Sequence, residues 1–436
     1  MTLVASSIKA SEPPPAPGRL LVLGFQHVLV MYAGNVAVPL LVAAALKLPS
    51  DQTAFLINAD MFAAGIATLI QTLGIWKFGA RLPVMMGATF LSVSPMIAMG
   101  LNPGIGLRGF YGALLMSGVI GVLIAPLMGR VLVLFPPVVI GSLITLLGIS
   151  LLAIAMNWVA EGNPPGKTRS LGLAIFVFLI VALITRYCGG LWQNLATMLG
   201  LFAGTLVSIP LGIIDLHGLA SASWLGWIQP FRFGFPTFHV GPIATMCVVM
   251  IVTLVESTGV FLALAEITGT DFRRDSLVQA LRADVLGIIA GAVFNAFPYT
   301  SFSQNVGLVT MTAVRSRFVC AAGGVILIVL GLLPKLAAIV AAVPDPVLGG
   351  VGLVMFGMVA AAGIRILGTV DFQTNLNNLF IVASALGFGM IPTLAPHLFQ
   401  GLPAWTSAIT SSSVVLGTLV AVILNVVFNG LRRQAL

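Results

Sequence analysis

Apolar runs of about 20 residues, each closed by charged, glycine or proline positions, recur along the chain from Leu20 to Gly430. Wound as a helix, a run of that length matches the hydrocarbon thickness of a bilayer. The pattern predicts an all-α polytopic membrane protein with about 14 crossings. The first seven are expected at 20–45, 52–75, 83–100, 108–128, 131–157, 170–189 and 193–214. The second seven are expected at 242–267, 283–298, 299–313, 318–341, 345–367, 372–391 and 408–430.

Two of these segments make poor continuous helices. Pro83 and Pro95 bracket the third and Gly87 interrupts it, while the tenth, from Pro298 to Gly307, is rich in hydroxyl and amide side chains. Bare backbone at membrane depth is tolerated only where protein covers it or a wet cavity meets it. Matching breaks in the third crossing of each half point to a transporter of inverted repeats with a midplane site. Seven crossings per half is odd, so the second half must enter with opposite topology. The expected organisation is a disordered cytoplasmic tail at 1–18, a first repeat at 19–214, an external connection at 215–241, a second repeat at 242–430 and a short cytoplasmic tail at 431–436.

Charge agrees with this layout. With both termini cytoplasmic, fourteen Lys and Arg, among them Lys9, Arg432 and Arg433, fall inside. Five fall outside (Lys47, Arg108, Lys167, Arg169 and Arg232), and Lys335 is left within a span. That is a positive-inside bias, and it accounts for the net charge of +8 without a nucleic-acid partner. Only 7% of the 436 residues are charged, against about 25% in soluble domains, so no sizeable soluble domain is left over. The 48 glycines fit close helix contacts. Cys188, Cys247 and Cys320 have neither disulfide nor metal spacing and read as small core residues. The G-x-G-x-x-G match at 104–109 lies between two spans without a βαβ context and carries no dinucleotide site.

A few polar residues inside apolar runs carry the candidate chemistry. Glu256 is central to the eighth crossing, where a charged carboxylate is expensive unless it is paired, protonated or facing a wet cavity. As a carboxylate it accepts two N–H donors of a flat heterocycle; a structural bond to a neighbouring helix is the plainer reading. Asp284 opens the expected ninth crossing beside Arg282, where proton handling and an interfacial cap fit equally well. His27, in the first crossing, fits a structural donor or a site partner. Gln304 and Asn305 lie in the second broken segment, and their amides can read a ring bearing both C=O and N–H or satisfy the broken backbone. Phe90, beside Thr89 in the first broken segment, can stack on an aromatic ligand or simply pack. Asp60, in the second crossing, is left outside the site.

Gln304-Asn305-Val306-Gly307 followed by Thr312 resembles the signature of the nucleobase–ascorbate transporter family. Gln26-His27 through Gly34, Glu256-Ser257-Thr258-Gly259, and Ala283-Asp284 placed 20 residues before Gln304 agree with it in order, so the resemblance covers nearly the whole chain. The chain departs at Ala313, where the family usually carries Gly, Arg or Lys. The resemblance implies a substrate-carrying core of segments 1–4 and 8–11, and a dimerising gate of segments 5–7 and 12–14, past which the core moves like an elevator. It implies that Glu256 and Gln304 hydrogen-bond a base, Phe90 stacks on it, Asn305 and His27 support the site, and Asp284 couples protons. The Gln-Asn pair resembles purine carriers, and Thr89 and Val260 resemble the urate branch, with Thr89 expected to touch the base.

The expected function is therefore proton-coupled import of urate or xanthine across a bacterial inner membrane by a homodimer, without a cofactor other than the proton gradient. The rivals are a uracil permease and, from another class, an anion channel or exchanger of the same architecture. An intramembrane enzyme would need a metal-ligand cluster or nucleophile–base pair, neither of which the sequence offers.

Overall fold

The computed structural model describes residues 13–161, 167–214, 222–399, 410 and 412–430. Residues 1–12 of the expected N-terminal tail, 215–221 of the external connection and the 431–436 tail lie outside the described residues, and with them Lys9, Arg432 and Arg433.

The first half runs α1 (Pro17–Ala45), α2 (Ser50–Leu73), β1 (Met86–Ala88), α3 (Val93–Leu101), α4 (Gly106–Ile124), α5 (Pro137–Glu161), α6 (Lys167–Tyr187) and α7 (Ala196–Ser208). The second runs α8 (Val240–Thr268), α9 (Arg274–Val293), β2 (Tyr299–Ser301), α10 (Ser303–Thr312), α11 (Arg317–Gly331), α12 (Pro334–Ala341), α13 (Asp345–Leu367), α14 (Asn377–Leu394) and α15 (Ser413–Asn429). Pro17 opens α1 at a position where its missing N–H is no loss. Gly74, at φ +75°, ends α2 in a backbone conformation that glycine adopts without strain.

Among the described residues nine helical runs are long and apolar enough to cross a membrane, or ten if α11 and α12, bent by 81°, form one span. Along α6 the exposed Leu171, Ile175, Phe178, Leu179 and Leu183 recur every three or four positions, a stripe that water would not tolerate and lipid does. The chain is a multi-pass membrane protein.

Several boundaries differ from expectation. Helix α9 begins at Arg274, not 283, because the 274–282 stretch buries Leu277, Ala280 and Leu281 and continues the helix. Asp284 consequently sits mid-helix and fully buried, which removes the interfacial-cap reading. Helix α5 starts at Pro137 because Pro136-Pro137 cannot continue the turns before it. The single run expected at 318–341 bends ahead of Pro334, whose ring excludes the helical bond there. Lys335 lies just past that bend, its ammonium 4.7 Å from the Trp224 ring centroid. Of the cysteines, Cys320 is buried and Cys247 half-buried, but Cys188 is exposed just beyond the end of α6 and is no core residue.

Helices α1, α2, α8 and α9 pack on the paired strands β1 and β2, with α4 and α11 packed against those helices, while α5, α6, α7, α13, α14 and α15 pack mainly on one another. Glycines set the closest crossings. Gly323 and Gly324 of α11 face Gly24 of α1 and Gly65 of α2, and a Cβ on Gly65 would stand 2.6 Å from the Gly324 carbonyl oxygen. The Ile328 side chain, 2.7 Å away, could shift, but the Gly324 carbonyl and the Ile328 N–H at 2.8 Å are backbone and cannot readily yield. Gly65→Ala should therefore destabilise by about 1–3 kcal/mol as an overpacked contact. Gly357→Ala, with nothing within 4 Å, should not. Melting temperatures of the two variants in detergent test this, and equal values would contradict the close crossing.

Candidate functional site

The chain breaks helix at the two places where proline and polar residues forbid it, and the two breaks meet. β1 and β2 pair antiparallel, with Met86 opposite Ser301, Gly87 opposite Thr300 and Ala88 opposite Tyr299. Each strand has an outer edge whose N–H groups need partners, and side chains of flanking helices supply them. Thr68 Oγ1 accepts from Met86 N (3.0 Å), Asn35 Oδ1 from Ala88 N (2.6 Å) and Ser257 Oγ from Ser301 N (3.2 Å). Thr89 N donates to Pro298 O and Phe302 N to Met85 O, both at 2.9 Å, closing the ends of the pair.

Beyond β1 the chain turns into a single 3₁₀ turn, Phe90–Ser92, capped by Thr89, whose Oγ1 accepts from Leu91 N at 3.3 Å. Thr89 is thus buried and engaged with its own segment. Phe90 is half-buried, edge-on to Phe356 with ring centroids 5.7 Å apart. Beyond β2, α10 presents Gln304 exposed and Asn305 buried on successive positions. Helix α8 packs against β2, the Phe90 turn and α10 together. Its Glu256 is half-buried and has no hydrogen-bond partner among the described residues. The neighbouring Ser257 hydroxyl reaches Thr300 Oγ1 at 3.1 Å. Glu256, Gln304 and Phe90, predicted from sequence, therefore lie on elements packed around one strand crossing.

His27 and Asn305 form a buried pair beneath them. The Asn305 amide nitrogen donates to the His27 carbonyl oxygen (3.1 Å), which can only accept, and this orients the amide. The same nitrogen stands 2.9 Å from His27 Nδ1, so Nδ1 accepts and the ring proton belongs on Nε2. Cys320 Sγ lies 3.8 Å from the same Nδ1. Asn305 Oδ1 is buried without a hydrogen-bond partner among the described residues.

Sequence reasoning missed Gln71. It donates to Asp284 Oδ1 at 2.6 Å and to Ala280 O at 2.9 Å, and accepts from Ala80 N at 2.7 Å. Ser301 Oγ approaches Asp284 Oδ1 at 3.4 Å, while Oδ2 is buried with no hydrogen-bond partner among the described residues. An amide inside an apolar run was the only trace of Gln71 in the sequence, and nothing there said which acid it would meet. Asp60, unassigned from sequence, is fully buried and bonded to Asn35 and Tyr299.

A helical multi-pass protein whose two broken segments cross at a buried polar site has the architecture of a membrane transporter. Residues 18–398 match the Xan_ur_permease model, described as a permease family, and the chain belongs to that family, the nucleobase–ascorbate transporters whose motifs it carries. It is 49% identical to the uric acid transporter UacT of Escherichia coli over 96% of this chain and 88% of that one. It is 42% identical to the xanthine permease of Bacillus subtilis over 94% of each. The transmembrane domain of the cyanobacterial bicarbonate transporter BicA shares the fold at a TM-score of 0.59 and 15% identity, covering 96% of this chain and all of that one.

Gln71→Met keeps the length of the side chain but strands the Ala80 N–H and withdraws a donor from Asp284. Each buried polar group left unsatisfied costs about 1–3 kcal/mol. The variant should melt clearly below the parent in detergent, and an unchanged transition would show that the Gln71 cluster does not form.

Proposed function

We propose that the protein is a proton-coupled symporter that brings an oxidised purine base, urate or xanthine, into the cell. The observation that carries this reading is Glu256, a membrane-depth carboxyl without a partner of its own beside an exposed Gln304 and a half-buried Phe90. A carboxylate that accepts two N–H groups, an amide that donates and accepts, and an aromatic face form a receptor for a flat heterocycle with alternating N–H and C=O. The names of the relatives, a uric acid transporter and a xanthine permease, support oxidised purines over uracil. Asn305 and His27 hold the start of α10 in register. Thr89 shapes the site by capping the turn that presents Phe90.

Asp284 is the proton-coupling group in this reading. It reaches the strand through Ser301, whose own N–H bonds Ser257 next to Glu256, and its free Oδ2 leaves room for a proton. The chain crosses the membrane in 14 segments, two inverted repeats at 19–214 and 242–430 joined externally at 215–241, with both termini cytoplasmic in a bacterial inner membrane. Helices α1–α4 and α8–α12 form the moving core, and the remaining helices form the gate and the contact of a homodimer. The seam between α1 and the gate is lined by Val36, Leu40, Trp158, Leu201, Val351 and Met355, an apolar surface over which an elevator movement breaks few hydrogen bonds. An anion exchanger of the same architecture is the second reading, since the fold alone, shared with the bicarbonate transporter BicA, does not separate the two classes. Uptake of labelled urate, xanthine and uracil with and without a protonophore separates the two: flux indifferent to the proton gradient supports the exchanger.

Glu256→Gln should lose accumulation altogether, because the amide offers one acceptor and carries no proton. Asp284→Asn should still bind the base while uphill uptake fails. Binding measured on purified protein beside uptake in cells separates these effects, and normal accumulation in either variant contradicts its assigned role.

The Thr89 hydroxyl already accepts the Leu91 N–H. Thr89→Ala should consequently lower urate and xanthine uptake in parallel, by up to about tenfold for a lost cap. A selective fall in urate uptake would instead make Thr89 a specificity contact.

A further inference from the structure

Asp60 is an acid that the proposed transport cycle does not use. It lies in the middle of α2, fully buried within a cluster of polar side chains. Its partners come from two other elements, and one of them ties in a third. Asn35 of α1 donates from Nδ2 to Asp60 Oδ2 at 2.5 Å, with Met61 Sδ 3.9 Å from the same nitrogen. The Tyr299 hydroxyl of β2 stands 3.0 Å from Asp60 Oδ1 and 2.9 Å from the Asp60 carbonyl oxygen. Asn35 Oδ1 in turn takes the Ala88 N–H of β1.

Hydrogen counting and the cost of a buried charge together argue for a neutral carboxyl. The Ala88 N–H can only donate, so it fixes Asn35 Oδ1 towards β1 and Nδ2 towards Asp60. Oδ2 therefore accepts. The Tyr299 hydroxyl has one hydrogen but faces two oxygens. One is a backbone carbonyl, which can only accept, and giving it the hydrogen leaves a phenol lone pair against Oδ1. That contact is favourable only if Oδ1 carries a hydrogen of its own. The ionised alternative would bury a full charge among an amide and a phenol with no cation among its partners, an arrangement that membrane interiors penalise heavily. The nearby Tyr111 offers no help, since its hydroxyl donates to Asn295 O at 2.8 Å.

We infer that Asp60 is a permanently protonated, charge-free carboxyl that, with Asn35 and Tyr299, locks both half-strands onto α1 and α2. It is a positioning residue. The lock holds Ala88 two positions before Phe90 and Tyr299 five positions before Gln304, so it sets the distance between the stacking and hydrogen-bonding sides of the site. The contrast with Asp284 is chemical. Asp284 keeps an unpartnered oxygen, whereas both oxygens of Asp60 are occupied, and a group with no vacancy is poorly suited to taking up and releasing protons.

Infrared spectroscopy of the purified protein tests the protonation state independently of any substrate. The spectrum of the parent minus that of Asp60→Asn should contain a protonated-carboxyl C=O band at neutral pH that persists into mildly alkaline buffer. In Tyr299→Phe the band should remain but shift, because the acid hydrogen has lost its acceptor. In uptake assays Asp60→Leu should fail. Asp60→Asn should restore transport with an unaltered dependence on external pH, because its amide accepts from Asn35 and donates to Tyr299 as the neutral acid does. Tyr299→Phe should raise the KM by about tenfold with a smaller change in kcat, as expected for one lost buried hydrogen bond that orients a site. Absence of the band overturns the inference. So does an Asp60→Asn protein that fails to reach the membrane, or one that binds but no longer accumulates substrate. If the parent takes up no purine, the proposed function fails while the infrared comparison still decides the state of Asp60.

Discussion

A backbone N–H or C=O at membrane depth finds no water, and each one left bare costs several kcal/mol, about as much as the net stability of many small domains. The strand pair β1–β2 exists under that constraint. Proline and glycine prevent the chain from closing helical bonds around residues 83–95 and at Pro298, so the freed groups bond across the two breaks, and the outer edges recruit Thr68, Asn35 and Ser257. Those three side chains then dictate how α1, α2 and α8 must be turned. The polar centre of the molecule is largely the set of groups that make an interrupted backbone tolerable.

What remains after that accounting has the character of a site. Gln71, Asn35 and Thr68 direct polar atoms onto protein, and Asp60 is enclosed on both oxygens. Glu256 and Gln304 sit on the same scaffold, one half-buried and the other exposed. Partly exposed polar groups held by satisfied ones are what a receptor needs, because the supporting hydrogen bonds limit how far the contacting atoms can wander. The two buried acids divide in the same way. One is saturated and the other keeps a vacancy.

The segments whose physics is local were legible in the sequence. Length and apolarity located α1, α2, α8 and α13 to within a few residues, and proline with glycine marked both broken segments. Glu256, Gln304 and Phe90 stood out because polar or proline-flanked positions in apolar runs are few. Long-range pairing was not legible. Nothing in the order of residues says that Gln71 meets Asp284, 213 positions away, or that Asp60 meets Tyr299, 239 positions away. The start of α9 was misjudged for a related reason: Arg274 to Arg282 look solvated in isolation, yet packing buries one face of that stretch. Thr89 stood out because it precedes Phe90, and nothing in the sequence showed that its hydroxyl also accepts the Leu91 N–H of the turn.

The strand crossing also sets a schedule for biosynthesis. β1 leaves the ribosome long before Tyr299, the residue whose hydroxyl meets Asp60 across 239 positions. At about 5–20 residues per second that delay is on the order of ten seconds or more. Throughout it the first interrupted segment has no partner strand, and its N–H and C=O groups must be sheltered by the insertion machinery, by water or by α1 and α2 alone. A nascent chain arrested before residue 299 lacks β2 and leaves the inner edge of β1 without its partner.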